Sequence, residues 1–177
     1  MKTILITGIG GLTPRSIAKV VKKNHPDYRL IGCDIEKKAV GFFMAGLLDE
    51  YYICPRCTSP DYFLWVEELV KTEHIDYAFV QPEVEIVEWG AYYEKHKKFP
   101  CPVFMGNKFF SESLRNKSIM AELLEGTDYI PKTIKVTQDN PRYDDVKDLI
   151  GFPCWIRATE GTGGLGSLRL DDLNSYK

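Results

Sequence analysis

The feature that most constrains this chain is an alternation. Short, mostly apolar runs take turns with longer segments whose apolar residues recur at helical spacing. Thr-Ile-Leu-Ile-Thr at 3–7 is the first run, followed by 29–33 closed by Asp34, then 51–53, 77–80 and 103–105. Between them the helical patterns fall at 15–24 (Ile17, Val20, Val21), 39–48, 62–70 (Phe63, Val66, Leu69 and Val70 on one face) and 84–97. Strands that alternate with helices at this spacing form parallel βαβ units, because a parallel partner can be reached only by a crossover. Residues 3 to about 105 therefore predict an α/β unit, a doubly wound, Rossmann-like parallel sheet.

Beyond that point the pattern changes. Residues 108–125 read as one amphipathic helix ending at Gly126, 133–136 as a strand, 138–141 as a polar loop leading to a helix through Leu149. Gly-Phe-Pro-Cys-Trp-Ile-Arg-Ala at 151–158 reads as a strand feeding the glycine-rich loop Thr-Glu-Gly-Thr-Gly-Gly-Leu-Gly at 159–166, with 167–170 returning as a hairpin partner. Asp171 or Asp172 suits an N-cap, and Leu173 with Tyr176 has helical spacing, so a helix is expected to begin there. A helix stopping at Lys177 would be too short to stand alone, which gives the expectation that the natural protein continues. The domain expectation is 1–106 and 107–177.

Composition narrows the function classes. With 44% apolar and 27% charged residues over 177 positions, the chain can build a core. Its 23 basic against 25 acidic residues give a net charge of -2, without the basic excess that phosphate-gripping nucleic-acid binders show. No run approaches the ~20 apolar residues of a membrane span. Five scattered cysteines suggest reduced thiols and a cytoplasmic setting. The Cys54/Cys57 pair could supply two zinc ligands, but no second pair completes the four that zinc requires, and no metal ligand is assigned.

Two glycine loops carry the chemistry. In 159–166 the glycines let backbone N–H groups turn toward anionic oxygens, and Arg157 on the incoming strand offers a planar cation that can fork onto phosphate; a plain hairpin with a surface arginine is the alternative. The turn Thr-Gly-Ile-Gly-Gly-Leu-Thr-Pro at 7–14 follows a strand, opens a helix with Pro14 at its first position, and has Asp34 some 20 residues on. That is close to a dinucleotide fingerprint, but its third glycine is missing.

The order of these segments, with Arg-Asn-Lys at 115–117, Tyr-Ile-Pro-Lys-Thr at 129–133 and the 151–166 strand and loop, resembles the ATP-grasp superfamily. The 151–157 segment is most similar to the carbamoyl-phosphate synthase large chain. The Tyr-Ala-Phe-Val-Gln-Pro-Glu-Val-Glu stretch at 77–85 looks instead like formate-dependent glycinamide ribonucleotide transformylase. The resemblance implies a pre-ATP-grasp Rossmann-like domain followed by the start of an ATP-grasp domain. It implies a ligase that activates a carboxylate as an acyl-phosphate for attack by an amine or similar nucleophile. Lys117 and Arg157 would reach nucleotide phosphates, and Glu160, Gly161, Thr162, Gly163, Gly164 and Gly166 would belong to the flap over them. Gly8, Gly10, Gly11, Asp34, Glu83 and Glu85 would help hold the acceptor, although two glutamates at a helix start also suit its dipole without any ligand. ATP and Mg2+ are the implied cofactors, with the magnesium ligands expected beyond residue 177. Ala158 departs from the family, which usually has Pro there. The implied partners are small-molecule carboxylate and amine-type substrates, with a homo-oligomer open and no nucleic acid or membrane. The other readings are an NAD(P)-binding short-chain oxidoreductase or epimerase, for which only Tyr93 and Lys97 have the dyad spacing, and a non-catalytic nucleotide-binding module.

Overall fold

Strand β1 (Thr3–Thr7) is buried at all five positions, as its unbroken apolar run requires of a central strand. It pairs in parallel with β2 (Arg29–Asp34) on one side and β4 (Tyr77–Phe79) on the other, and β2 pairs in parallel with β3 (Glu50–Ile53). The order β3-β2-β1-β4 makes a four-stranded parallel sheet. The computed structural model describes residues 1–106, 108–161 and 164–176, with the side chains of Lys108 and Leu114 also outside the description. It divides into two units, Met1–Ser111 and Glu112–Lys177.

In the first unit the sheet carries an apolar layer on each face. Leu5, Ile31, Cys33 and Ala78 point to one side, where α2 (Tyr62–Thr72) supplies Tyr62, Val66 and Leu69 and α3 (Glu83–His96) supplies Trp89. Ile4, Ile6 and Leu30 point to the other, against Ala18 of α1 (Leu12–Asn24) and Ala39 and Leu47 of the β2–β3 crossover. This is the period-2 alternation of a strand whose two faces are both buried.

Four sequence expectations in this unit are corrected. Helix α1 begins at Leu12, so Pro14 is its third residue; its missing N–H is still among the four that a helix start leaves without intrahelical partners. The 39–48 segment is not an α-helix but a single 3-10 turn, Val40–Phe43. Gly41 there lies so close to the chain that an added Cβ would meet the Ile9 carbonyl oxygen at 2.5 Å, and Gly46 is left-handed at φ +71°. The left-handed residue is incompatible with a continuous helix. Residues 103–105 form no strand: only a parallel bridge from Val103 to Ala78 is made. Strand β4 ends at Phe79 instead of Val80.

Further along the chain the expected 108–125 helix is two. Helix α4 (Lys108–Arg115) stops before Asn116, which is extended at φ -96°, ψ 107° and caps α5 (Lys117–Leu123) by accepting the Ser118 and Ile119 amides at 3.0 and 3.3 Å. Asparagine competes with the helix for its own backbone, which apolar periodicity does not register. Residues 133–136 are not a strand. A short helix, Tyr143–Asp145, widens to π geometry over Val146–Ile150. Strands β5 (Cys154–Arg157) and β6 (Ser167–Leu170) form an antiparallel hairpin. Residues 171–176 are turns, with the Asp172 carboxylate accepting the Ser175 amide at 2.8 Å, so the expected terminal helix is absent among them. Among the described residues no helix is long and apolar enough to cross a membrane.

Candidate functional site

Strand β5 alternates half-buried Cys154 and Ile156 with exposed Trp155 and Arg157. Arg157, its last residue, lies opposite Ser167 at the mouth of the hairpin. The loop is closed by the Ala158 amide on the Gly166 carbonyl at 2.9 Å and the Ser167 amide on the Gly164 carbonyl at 3.1 Å. Gly161, Gly164 and Gly166 have φ of +112°, +77° and +69°, values that a side chain disfavours. The turn chemistry therefore depends on those glycines. Thr162 and Gly163, expected in the same flap, lie outside the described residues.

The base of this loop is tied to the start of α5. The Lys117 amide donates to the Thr159 carbonyl at 2.8 Å, and the Lys117 ammonium donates to the Gly161 carbonyl at 2.9 Å. Arg115 pairs with the Glu160 carboxylate at 3.1 Å, and the Asn116 side-chain amide donates to its other oxygen at 3.4 Å. Lys117 and residues 159–161 are thus brought together across a sequence separation of 44 for the lysine–carbonyl bond. Arg157 is exposed and, among the described residues, has no hydrogen-bond or ion-pair partner. Arg115 and Asn116 as anchors of the loop were not foreseen. The signal available was the lone acid inside a glycine loop, a carboxylate that a neighbouring cation can hold.

The second candidate region lies at the C-terminal ends of β1, β2 and β4, where open α/β sheets bind ligands. The turn after β1 spends its own amides. Ile9 donates to the Cys33 carbonyl at 3.1 Å, Gly10 to the Asp34 carboxylate at 2.8 Å, and Gly11 to the Gly8 carbonyl at 2.9 Å. The other Asp34 oxygen accepts the Glu36 amide at 2.9 Å. Gly8, at φ +64°, sits against Pro82, whose Cγ would be 2.6 Å from an added Cβ. The turn therefore touches Asp34 on one side and the residue before Glu83 on the other.

The two glutamates have different surroundings. Glu83 is exposed at the start of α3, whereas Glu85 is only 5% exposed. Glu85 accepts from the Tyr62 hydroxyl, which itself accepts the Trp89 indole N–H at 3.0 Å. It is also bonded to the Thr7 hydroxyl, which accepts the Gln81 amide at 3.1 Å. Burial pushes the Glu85 carboxyl above its ordinary range, against the opposing pull of the Tyr62 and Thr7 bonds, with the Asp34 charge adding to the rise. Both flanking hydroxyls are committed to it, so Glu85, on α3, ties β1 and α2 to that helix from inside. Among the described residues no group of three or more His, Cys, Asp and Glu side chains could hold a metal ion, and Cys54 and Cys57 are free thiols.

No protein-family model and no curated protein sequence matches the chain. Among solved structures it is similar to the biotin carboxylase domain of 2-oxoglutarate carboxylase from Hydrogenobacter thermophilus, a dimer in complex with MgADP, ADP and bicarbonate. That match has a TM-score of 0.62 and 15% identity and covers 99% of this chain and 38% of that one. The biotin carboxylase subunit of a pyruvate carboxylase aligns at a TM-score of 0.48 and 17% identity over 99% of this chain and 39% of that chain. A dTDP-glucose 4,6-dehydratase from Bacillus anthracis, in complex with NAD, aligns at 0.43 and 12% identity over 54% and 34%. The chain spans under two-fifths of the length of the carboxylase chains it matches. The first likeness, at 15% identity, is one of fold alone, and it does not single out carbamoyl-phosphate synthase.

Proposed function

We propose that this chain is the N-terminal part of an ATP-dependent ligase of the ATP-grasp kind, which activates a carboxylate as an acyl-phosphate for attack by an amine or similar nucleophile. The observation that carries the reading is the convergence of Lys117 on the base of the 159–166 loop, through both its amide and its ammonium. A glycine loop anchored beside a lysine, with an arginine at its mouth whose side chain has no partner among the described residues, suits a polyphosphate: backbone N–H groups and two cations can meet oxygens at several points. Lys117 offers a compact charge and Arg157 a planar fork that holds two oxygens in register. Their work is positioning and charge stabilisation of the transferring phosphoryl group, which needs little covalent chemistry from side chains.

ATP fits these groups. Magnesium, when bound, would add charge neutralisation of the phosphates; its carboxylate ligands are proposed on sequence beyond residue 177. The proposed acceptor region is the strand-end crevice of Gly8, Gly10, Gly11, Asp34 and Glu83, with Glu85 holding it from inside. The carbamoyl-phosphate synthase likeness of 151–157 is retained as the finer proposal, in a cytoplasmic enzyme.

One observation weighs against the dinucleotide alternative. In that fingerprint the glycine turn and helix N-terminus present amides to a pyrophosphate and the acid binds ribose. Here the amides of residues 9–11 all have internal acceptors, and Asp34 is one of them. Calorimetric titration with ATP and with NADH tests the reading. ATP binding that weakens in Arg157→Ala and Lys117→Ala supports it; NADH binding without ATP binding would replace it.

A further inference from the structure

Glu160 is out of place in a loop meant to fold over phosphates. A carboxylate there brings negative charge toward negative charge, and glycine or a hydroxyl residue would serve the turn equally well. In the structure its oxygens are engaged: one is 3.1 Å from the Arg115 guanidinium and the other accepts from Asn116 at 3.4 Å. The next carbonyl, of Gly161, accepts from the Lys117 ammonium at 2.9 Å. Three successive side chains, 115–117, thus donate to two successive loop residues, 160 and 161. These are donors of the chemistry a polyphosphate seeks.

Resting on the nucleotide reading above, we propose that Glu160 is an internal competitor for the nucleotide, and that Arg115 becomes a phosphate contact when Glu160 is displaced. The carboxylate and the Gly161 carbonyl occupy Arg115, Asn116 and Lys117, and a triphosphate gains those donors by exchange. The exchange is feasible because the Arg115–Glu160 pair is open to solvent, with side-chain exposures of 37% and 51%. Exposed pairs are weak, and phosphate oxygens make strong charge-assisted bonds to guanidinium. The loop would then be held at its base by the chain's own acid and released to the nucleotide only on that exchange. Asn116 is a positioning residue here: its carbonyl oxygen caps α5 while its amide group holds Glu160.

Two measurements on the whole chain test this, with ATP as the probe. In calorimetric titration, Glu160→Gln removes the competing charge at nearly constant size and should bind ATP about 3–5-fold more tightly, the worth of one exposed pair. Arg115→Gln should bind more weakly, and adding Glu160→Gln to it should gain less than in the wild type, because the competitor has lost its main partner. In hydrogen exchange without nucleotide, peptides spanning 115–118 and 158–161 should exchange a few-fold faster in Glu160→Gln, which reports the latch itself. Equal or weaker ATP affinity in Glu160→Gln overturns the competitor role, and unchanged exchange overturns the latch. Faster exchange in a chain that binds no ATP in any variant leaves the ion pair standing, removes the nucleotide reading, and overturns the competitor role with it.

Discussion

The Asp34 carboxylate accepts the Gly10 amide at 2.8 Å, joining the end of β2 to the turn that follows β1. An acid some 20 residues past a glycine turn is read from sequence as a ribose ligand, yet here it is a brace for the turn. Bonds to an ionised acceptor are worth about 1.5–3 kcal/mol, and Asp34 also holds the Glu36 amide. Asp34→Ala should therefore lower the urea-unfolding free energy by about 2 kcal/mol. A loss under about 0.5 kcal/mol would show that the bond contributes nothing beyond what water supplies.

The Tyr62 hydroxyl sits between two buried groups, donating to Glu85 and accepting from Trp89. Tyr62→Phe leaves the indole N–H and one carboxylate oxygen without that partner in the core. Each orphaned buried group costs about 1–3 kcal/mol, so a loss of about 2–4 kcal/mol is expected, well above the typical surface substitution. Chemical denaturation, with tryptophan fluorescence as a second signal, measures it.

Glu85 and Glu73 should move stability with pH in opposite directions. Glu85 has a folded-state pKa raised chiefly by burial, so the native state holds its proton more firmly than the unfolded chain. Its contribution is fully present below the unfolded value, about 4.3, and is lost as pH rises through the folded value. Glu73 is held below its ordinary range by the Tyr52 hydroxyl and by Arg29, so its contribution is present above the unfolded value and lost as pH falls through the folded one. The difference in unfolding free energy between Glu85→Gln and wild type should grow in the variant's favour from pH 4 to pH 7. For Glu73→Gln it should run the other way. Urea midpoints at the two pH values decide each sign.

Much of the first unit was legible because its strands and helices announce themselves in their apolar pattern. Thr-Ile-Leu-Ile-Thr is β-branched with an apolar centre, the 29–34 run has the apolar centre Leu-Ile-Gly-Cys, and the helices at 62–72 and 83–96 carry apolar residues at helical spacing. What failed was set by single residues acting against the local pattern. The 39–48 segment has helical periodicity, but Gly41 is pressed onto the Ile9 backbone and Gly46 turns left-handed. The 108–125 helix was read through Asn116, whose side chain instead caps a new one. In the loop region Arg157 stood out by its type and its place at the end of the strand, and Lys117 only through the family resemblance. The partnership of Arg115 with Glu160 did not, because it joins residues 45 positions apart.

The glycines at 41 and 46 should separate contact from strain. An added Cβ at Gly41 meets the Ile9 carbonyl oxygen and side chain at 2.5 Å, so the backbone itself must move. Gly46, at φ +71°, has nothing within 4 Å of an added Cβ, so only its left-handed backbone opposes the substitution. Gly46→Ala should cost about 1 kcal/mol, the left-handed penalty alone, and Gly41→Ala about 3 kcal/mol or more. Equal losses for the two would mean that the crossover relaxes freely around Gly41.

Arg157 and Lys117 should come apart when stability and nucleotide affinity are measured side by side. Arg157 is exposed and has no partner among the described residues, so Arg157→Ala should change the unfolding free energy by less than about 0.5 kcal/mol. If it meets phosphate, the same substitution removes a charge-assisted contact of about 1.5–3 kcal/mol, or one to two decades in ATP affinity. Arg157→Lys should keep part of that, since a point charge still attracts phosphate but cannot fork. Lys117→Ala removes both a prospective phosphate contact and the bond to the Gly161 carbonyl, so it should lower affinity and loosen the loop together. Calorimetric titration paired with urea unfolding of the three variants reads both quantities. ATP affinity undiminished in Arg157→Ala would leave the 159–166 loop an ordinary hairpin turn, and the ligase reading would lose its arginine.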